Sequence, residues 1–456
     1  MAVQGLNHRF AGVPSSTIAF WVAAFAAAAL SLAAALVAIT SDNDSAPETS
    51  GAARLQQELQ ARNDRIAFFE ARAAADPLAY PDLNSLTGQY LQRARETGDV
   101  ADYQRAELAA TKSLEILPAN FGGLVGLASV RIAQHEFSEA ASLAQRAIEV
   151  KPGKDSAGAY GLLGDALLNA GRYDEAGAAY DRMLELEPGL AATSRQADYA
   201  WIHGDTLNAE DFWKQALRFD DGLPAENNAW AMTQLGTLYF ATGDLTSAER
   251  QYADALKVYP GYVHALAGLG SVRAAEERWD DSISLYTRAT EQLPAPQYVV
   301  GLGDVYARAG RDADAQTQYA LVDVLDRLYR ANGINNDLAL ALFYADHDLR
   351  VDEALAMAEN AYAASPSIYG ADVLAWALFK NNRLDEANAR IDEALRLGTQ
   401  DPAMHFHAAR IKLALGDRSA ALEHIEKVEA LNPAFSPLHS QETKDLLASL
   451  KNGDAR

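Results

Sequence analysis

From Thr87 to Phe435 the chain repeats itself every 33 to 36 residues. One copy carries Tyr160, Leu163-Gly164, Leu167, Gly171, Ala176, Tyr180, Met183 and Pro188. The same order returns in Met232, Leu235-Gly236, Tyr239, Gly243, Ala248, Tyr252, Ala255 and Pro260, and again in Leu266, Leu269-Gly270, Ser282, Tyr286, Ala289 and Pro294. A period of this length means that each copy is one small supersecondary unit. Apolar positions within a copy fall three and four apart, the spacing of a helix face. Gly171-Arg172, Gly243-Asp244 and Gly310-Arg311 punctuate the middle of a copy, and the terminal proline ends it. Each copy therefore reads as two helices joined by a turn. Small residues at Gly164 and Ala176, and at Gly236 and Ala248, mark where those helices approach closely. A lone hairpin cannot bury its apolar face, so the copies must stack into a solenoid.

The pattern apolar-x2-Leu-Gly-x2-Tyr, then small-x3-aromatic-x2-small and Pro, resembles the tetratricopeptide repeat, a 34-residue helix-turn-helix unit. Ten units fit, at 87–120, 121–154, 157–190, 190–224, 229–262, 263–296, 297–330, 335–368, 368–401 and 402–435. Several match closely and the rest are degenerate. The resemblance covers about three quarters of the chain. It implies an all-α fold, a right-handed superhelical solenoid of about ten repeats over 87–435. The stretch Asp323–Asn336 breaks the period and is expected to extend a helix.

The ends speak to location. After a short tail (1–16), the run Ile18–Ile39 holds 22 residues without a charge, enough to span a bilayer's hydrocarbon core. A transmembrane helix over 17–40 is expected, with Phe20 and Trp21 near one interface. Arg9 precedes the run and acidic residues follow it, which favours a cytoplasmic N-terminus and an extracytoplasmic array. The reverse topology is the alternative. A cleaved secretory signal would have a shorter apolar core, and no clear small-x-small site follows. Residues 41–51 read as a linker. Residues 52–76 read as an amphipathic helix with Leu55, Leu59, Ile66 and Phe69 near one stripe, suited to packing on the first repeat or to self-association as a coiled coil. Residues 436–456 read as a capping helix and tail, which a solenoid needs to cover its last apolar face.

Composition narrows the function. The chain has no cysteine, which removes disulfides, thiol catalysis and cysteine metal sites. A formal net charge of −23 disfavours nucleic acid, whose proteins bind phosphates through Lys and Arg. No G-x-S-x-G, P-loop or His-Glu-x-x-His occurs. Gly301-Leu-Gly303-Asp304 lacks the third glycine of a dinucleotide fingerprint and lies in a first helix, where close packing explains it. His405 and His407 are two apart and point away from each other on a helix, so no metal site is expected. No catalytic residue and no cofactor is expected.

In tetratricopeptide repeats the first helix of each unit lines a concave groove. Carried over position by position, that rule places Trp201, Trp230, Phe240, Phe343, Tyr369, Trp376, Phe379 and Phe406 on the inner face, with Asp198, Asp304, Asp346 and Asp372 among them. Aromatic anchors are typical hot spots of binding surfaces. The Lys, Arg and Asn pattern with which chaperone-binding members clamp a C-terminal carboxylate is missing, since Arg95 and Arg410 are the exceptions among few inner cations. The expectation is a membrane-anchored scaffold that holds a protein or peptide partner in the groove, similar to bacterial assembly factors for envelope complexes. The alternative is a self-associating structural membrane protein, a homo-oligomer without a client.

Overall fold

The computed structural model describes residues 46–76, 78–219 and 224–452. The apolar run Ile18–Ile39 lies outside them. Among the described residues no helix is long and apolar enough to cross a membrane. They form 22 α-helices and no strand.

Helix α1 (Ala46–Ala75) is followed by ten antiparallel hairpins and a final helix, α22 (Ser440–Asn452). The hairpins are α2 (Tyr80–Thr97) with α3 (Ala101–Ile116), α4 (Phe121–Ala133) with α5 (Phe137–Val150), α6 (Ala157–Asn169) with α7 (Tyr173–Leu186), and α8 (Leu190–Ile202) with α9 (Thr206–Ala216). Next come α10 (Ala225–Ala241) with α11 (Leu245–Val258), α12 (Val263–Ala275) with α13 (Trp279–Gln292), and α14 (Pro296–Arg308) with α15 (Asp312–Ala331). The last three are α16 (Asp337–Asp346) with α17 (Val351–Ala364), α18 (Ile368–Lys380) with α19 (Leu384–Ala394), and α20 (Pro402–Ala414) with α21 (Arg418–Leu431). The first hairpin starts at Tyr80, ahead of the Thr87 read from the period. Helix α15 runs to Ala331, continuing into the stretch where the period breaks.

Close approach inside a hairpin follows from glycine in the first helix facing tyrosine in the second. A Cβ on Gly236 would stand 2.7 Å from the Tyr252 ring, and one on Gly270 the same distance from Tyr286. The tyrosine hydroxyl then finds a partner one residue past the glycine. Tyr180 donates to Asp165 (3.1 Å) and Tyr319 to Asp304 (2.8 Å), while Tyr286 and Ser271 share a bond of 2.8 Å. The ring fills the interface and its polar tip is satisfied, as a buried tyrosine requires.

Stacking alone would leave distant hairpins apart. Here the coil winds tightly enough for one turn to rest on the next. Ser365 donates from Oγ to the carbonyl of Asn169 (2.7 Å), 196 residues away. The amide of Ile368 donates to the Tyr173 hydroxyl (2.7 Å), 195 residues away, and Asn432 donates to the carbonyl of Phe240 (2.7 Å), 192 residues away. Tyr173 and Ile202 share one apolar cluster with Ile368 and Ala371. The order is regular. The turn inside hairpin n meets the loop that follows hairpin n+5: Gly98 lies against Leu293, Gln134 against Gly333, Gly171 against Pro366, Gly204 against Gly398 and Gly243 against Leu431.

Helix α1 extends this seam. It begins at Ala46, inside the segment read as linker, and packs on the first hairpin, one of the two roles its apolar stripe suits. Ile66 is buried against Leu83, Leu86 and Tyr90 of the first hairpin, and Leu55 packs on the cluster of the fourth and fifth. Arg62 forms a buried ion pair with Glu96 (2.6 Å), and the amide of Ala225 donates to Glu58 (3.0 Å). At the other end Leu446 and Leu450 of α22 cover the last core, with Trp376, Phe406 and Ile425.

Candidate functional site

The groove residues expected from sequence all lie on first helices of the hairpins, and burial divides them into two groups. Phe343 (5% exposed), Trp376 (2%) and Phe406 (0%) are core, which corrects their assignment to the groove. The physical reason is the stacking of neighbouring hairpins and the final segment. Trp376 lies parallel to His407 with ring centroids 4.3 Å apart and donates from its indole to Asp346 (2.9 Å). Phe406 is covered by His439, 4.6 Å away. Phe343 sits between Tyr319 and His347.

The other five keep some surface. Trp230 meets Trp213 edge to face at 5.4 Å, and Phe379 stacks on Trp376 at 4.9 Å with Arg410 over its ring. Phe240 packs partly buried in the cluster of hairpins four and five. Trp201 and Tyr369 come from different turns of the coil, Trp201 packing on the cluster of Ile368 and Ala371 that flanks Tyr369. Tyr369 is 37% exposed, the most open aromatic of the set.

Around that pair the inner face is acidic. Arg195 grips Asp165 through two bonds of 2.6 and 2.8 Å. Asp198, one helical turn from Arg195, has no hydrogen-bond partner among the described residues. It is open to solvent yet hemmed in by protein. That confinement, with the charge of Asp165 added and Arg195 opposing, pushes its carboxyl up to about 7. Asp401 caps α20 through the amides of Ala403 (2.8 Å) and Met404 (3.3 Å). Burial and the charge of Asp372 nonetheless raise it.

Histidines answer the remaining inner carboxylates. His407 pairs with Asp372 (2.9 Å), His347 with Asp304 (2.8 Å) and His439 with Asp346 (3.1 Å). Burial alone would lower His407 and His347, but the adjacent aspartates outweigh it and leave both raised. Sequence reasoning placed Asp198, Asp304, Asp346 and Asp372 inside but missed these partners. The signal for one was present: Asp372 and His407 lie 35 residues apart, one period. His405 takes a different partner, His424, with ring nitrogens 3.0 Å apart. Among the described residues no group of three or more His, Asp or Glu could hold a metal.

The tetratricopeptide repeat profile matches residues 125–191, 233–295, 269–333 and 373–435, together just over half of the chain. The chain belongs to the tetratricopeptide repeat family. Proteins built of this repeat are generally protein-interaction scaffolds, and the fold is typically not catalytic. Protein CTR9 homolog of Arabidopsis thaliana is 23% identical over 245 residues, which cover 44% of this chain and 22% of that protein. The match thus spans less than a quarter of the relative's length. Among solved structures, the chain is similar to a tetratricopeptide repeat protein from Parabacteroides merdae ATCC 43184, at 18% identity and a TM-score of 0.34 over 60% of this chain and 99% of that one. It is similar to the Cut9-Hcn1 hetero-tetramer of the APC/C, at 15% identity and a TM-score of 0.33 over 82% and 96%. It also resembles YrrB, a tetratricopeptide repeat protein with an unusual peptide-binding site, at 19% identity and a TM-score of 0.28 over 42% and 95%.

Proposed function

We propose that this tetratricopeptide repeat protein is a non-catalytic, membrane-anchored scaffold that holds a polypeptide partner on the inner face of its coil. One observation carries the reading: an exposed Tyr369 beside Trp201, with the unpaired carboxyl of Asp198 close by. Aromatic surface with adjacent acceptors suits an extended segment or a partner helix, the rings taking apolar side chains and the carboxylates taking backbone or cationic donors. The contact centre is Tyr369 and Trp201 rather than Trp376 and Phe406, which are core. The test places a photo-crosslinking amino acid at Tyr369 in the full chain in membranes. One dominant polypeptide adduct is expected, absent when the probe sits at Glu185 on the outer helix α7. Adducts to the protein alone, or none above background, would overturn the reading.

In the same reading Ile18–Ile39 spans the bilayer, with the N-terminus cytoplasmic and the array outside, in keeping with a bacterial envelope assembly factor. Its support is the uncharged length and the Arg9-to-acidic asymmetry. Because the chain has no cysteine, a single Glu353→Cys substitution reports topology directly. Labelling by a membrane-impermeant maleimide in intact cells is expected, and labelling only after lysis would reverse the orientation.

A further inference from the structure

The seam uses two kinds of surface, the turn inside a hairpin and the loop following a hairpin five places later. Each coil end keeps one of them unused. At one end, the turns of hairpins seven to ten have no overlying loop among the described residues, and a Cβ on Gly310 or Gly416 would meet nothing within 4 Å. At the other, the loops after hairpins one to three lie open among the described residues, and Gly153 and Gly189 likewise have nothing of them within 4 Å.

We infer that these rims dock on one another between two copies of the chain, head to tail, continuing the intramolecular seam. The occupant is a second copy because the two free rims are the same two surfaces that already mate within one chain. Their register follows from the rule of five. Helix α22 holds the eleventh place, since Lys444 reaches Glu277 in the turn of hairpin six (3.5 Å). The twelfth place, over the turn of hairpin seven, falls to the loop after hairpin one of the next copy. This sets Leu117-Pro118 over Gly310, as Leu293-Pro294 sits over Gly98 within the chain.

The next step sets Val150 against Leu349, both 42% exposed, so apolar surface meets apolar surface. The third sets Glu187 beside Arg383, which already pairs with Glu359 and Glu386 of its own chain, so the apolar step carries the interface. Such an interface is heterologous: each copy uses one rim and leaves the other free, so assemblies grow as chains instead of closing as pairs. The net charge of −23 opposes association, and added salt is expected to favour it.

Heterologous docking has a distinctive test. Val150→Arg spoils one rim and Leu349→Arg the other, and both side chains are exposed, so neither substitution disturbs a core. Sedimentation velocity is run on the full chain in detergent over a range of protein concentrations. The wild type is expected to form dimers and then longer species as concentration rises. Each variant alone should stay monomeric. An equal mixture should give a single dimer that grows no further, because one variant still offers an intact turn rim and the other an intact loop rim. Leu108→Arg, exposed on the outer helix α3, should associate like wild type. A wild type that stays monomeric, assemblies that survive either substitution, or a mixture that remains monomeric would each overturn the inference.

Discussion

A Cβ at Gly236 would stand 2.7 Å from Cε1 of Tyr252, a buried ring held by the Thr237 hydroxyl. No rotamer change of that ring is free, so Gly236→Leu should destabilise by about 3 kcal/mol through overpacking. Chemical denaturation measures it, and an unchanged midpoint would mean that the two helices do not meet there. Asp198 makes the second prediction. Its folded-state carboxyl lies at about 7, above the value near 3.8 of the free side chain. A raised acid favours the fold while the folded form holds the extra proton, and that advantage is lost as pH rises from about 4 through about 7. Asp198→Asn should therefore melt higher than wild type at pH 8 and alike at pH 4. Equal melting at both values would show that the carboxylate is not confined as described.

Within an element, the sequence speaks clearly wherever partners are local. The Gly-to-Tyr pairing, the turn glycines and the period all depend on residues within one or two hairpins, so they are legible as pattern. Exposure of the inner aromatics was not. Tyr369 and Trp376 lie seven residues apart on nearly the same face of α18, so the period treats them alike and only what packs over each end of the helix decides between them. Tyr369 stays open, whereas Trp376 and Phe406 are covered. Their rings lie 6.1 Å apart in the core shared by α18, α20 and α22. Trp376→Ala should cost about 4 kcal/mol, and adding Phe406→Ala should cost less than twice that, because both loosen the same core. The signature is faster amide exchange confined to the last two hairpins and α22. A native melting curve with lost partner capture would return both residues to the groove.

At the scale of the molecule, the seam separates this coil from a plain stack of repeats. A stack has stability that sums nearest-neighbour terms, so distant hairpins unfold independently. Contacts between residues some 195 apart couple them, and no local pattern announces such contacts because the loops that make them share little sequence. Four glycines test the coupling. Gly204, Gly243, Gly310 and Gly416 all have positive φ (75, 80, 72 and 83°), so alanine strains each turn alike. Only at Gly204 and Gly243 would the new Cβ also strike a carbonyl of the next turn, that of Gly398 or Leu431. In the dilute monomer, Gly310→Ala with Gly416→Ala should cost about 2 kcal/mol from backbone strain alone and leave exchange elsewhere unchanged. Gly204→Ala with Gly243→Ala should cost more, broaden the unfolding transition, and speed amide exchange near Gly398 and Leu431, in hairpins that carry no substitution. If both pairs behave alike, the turns of the coil touch without holding each other. If they differ, the array unfolds as one body because its first turn is fastened to its second.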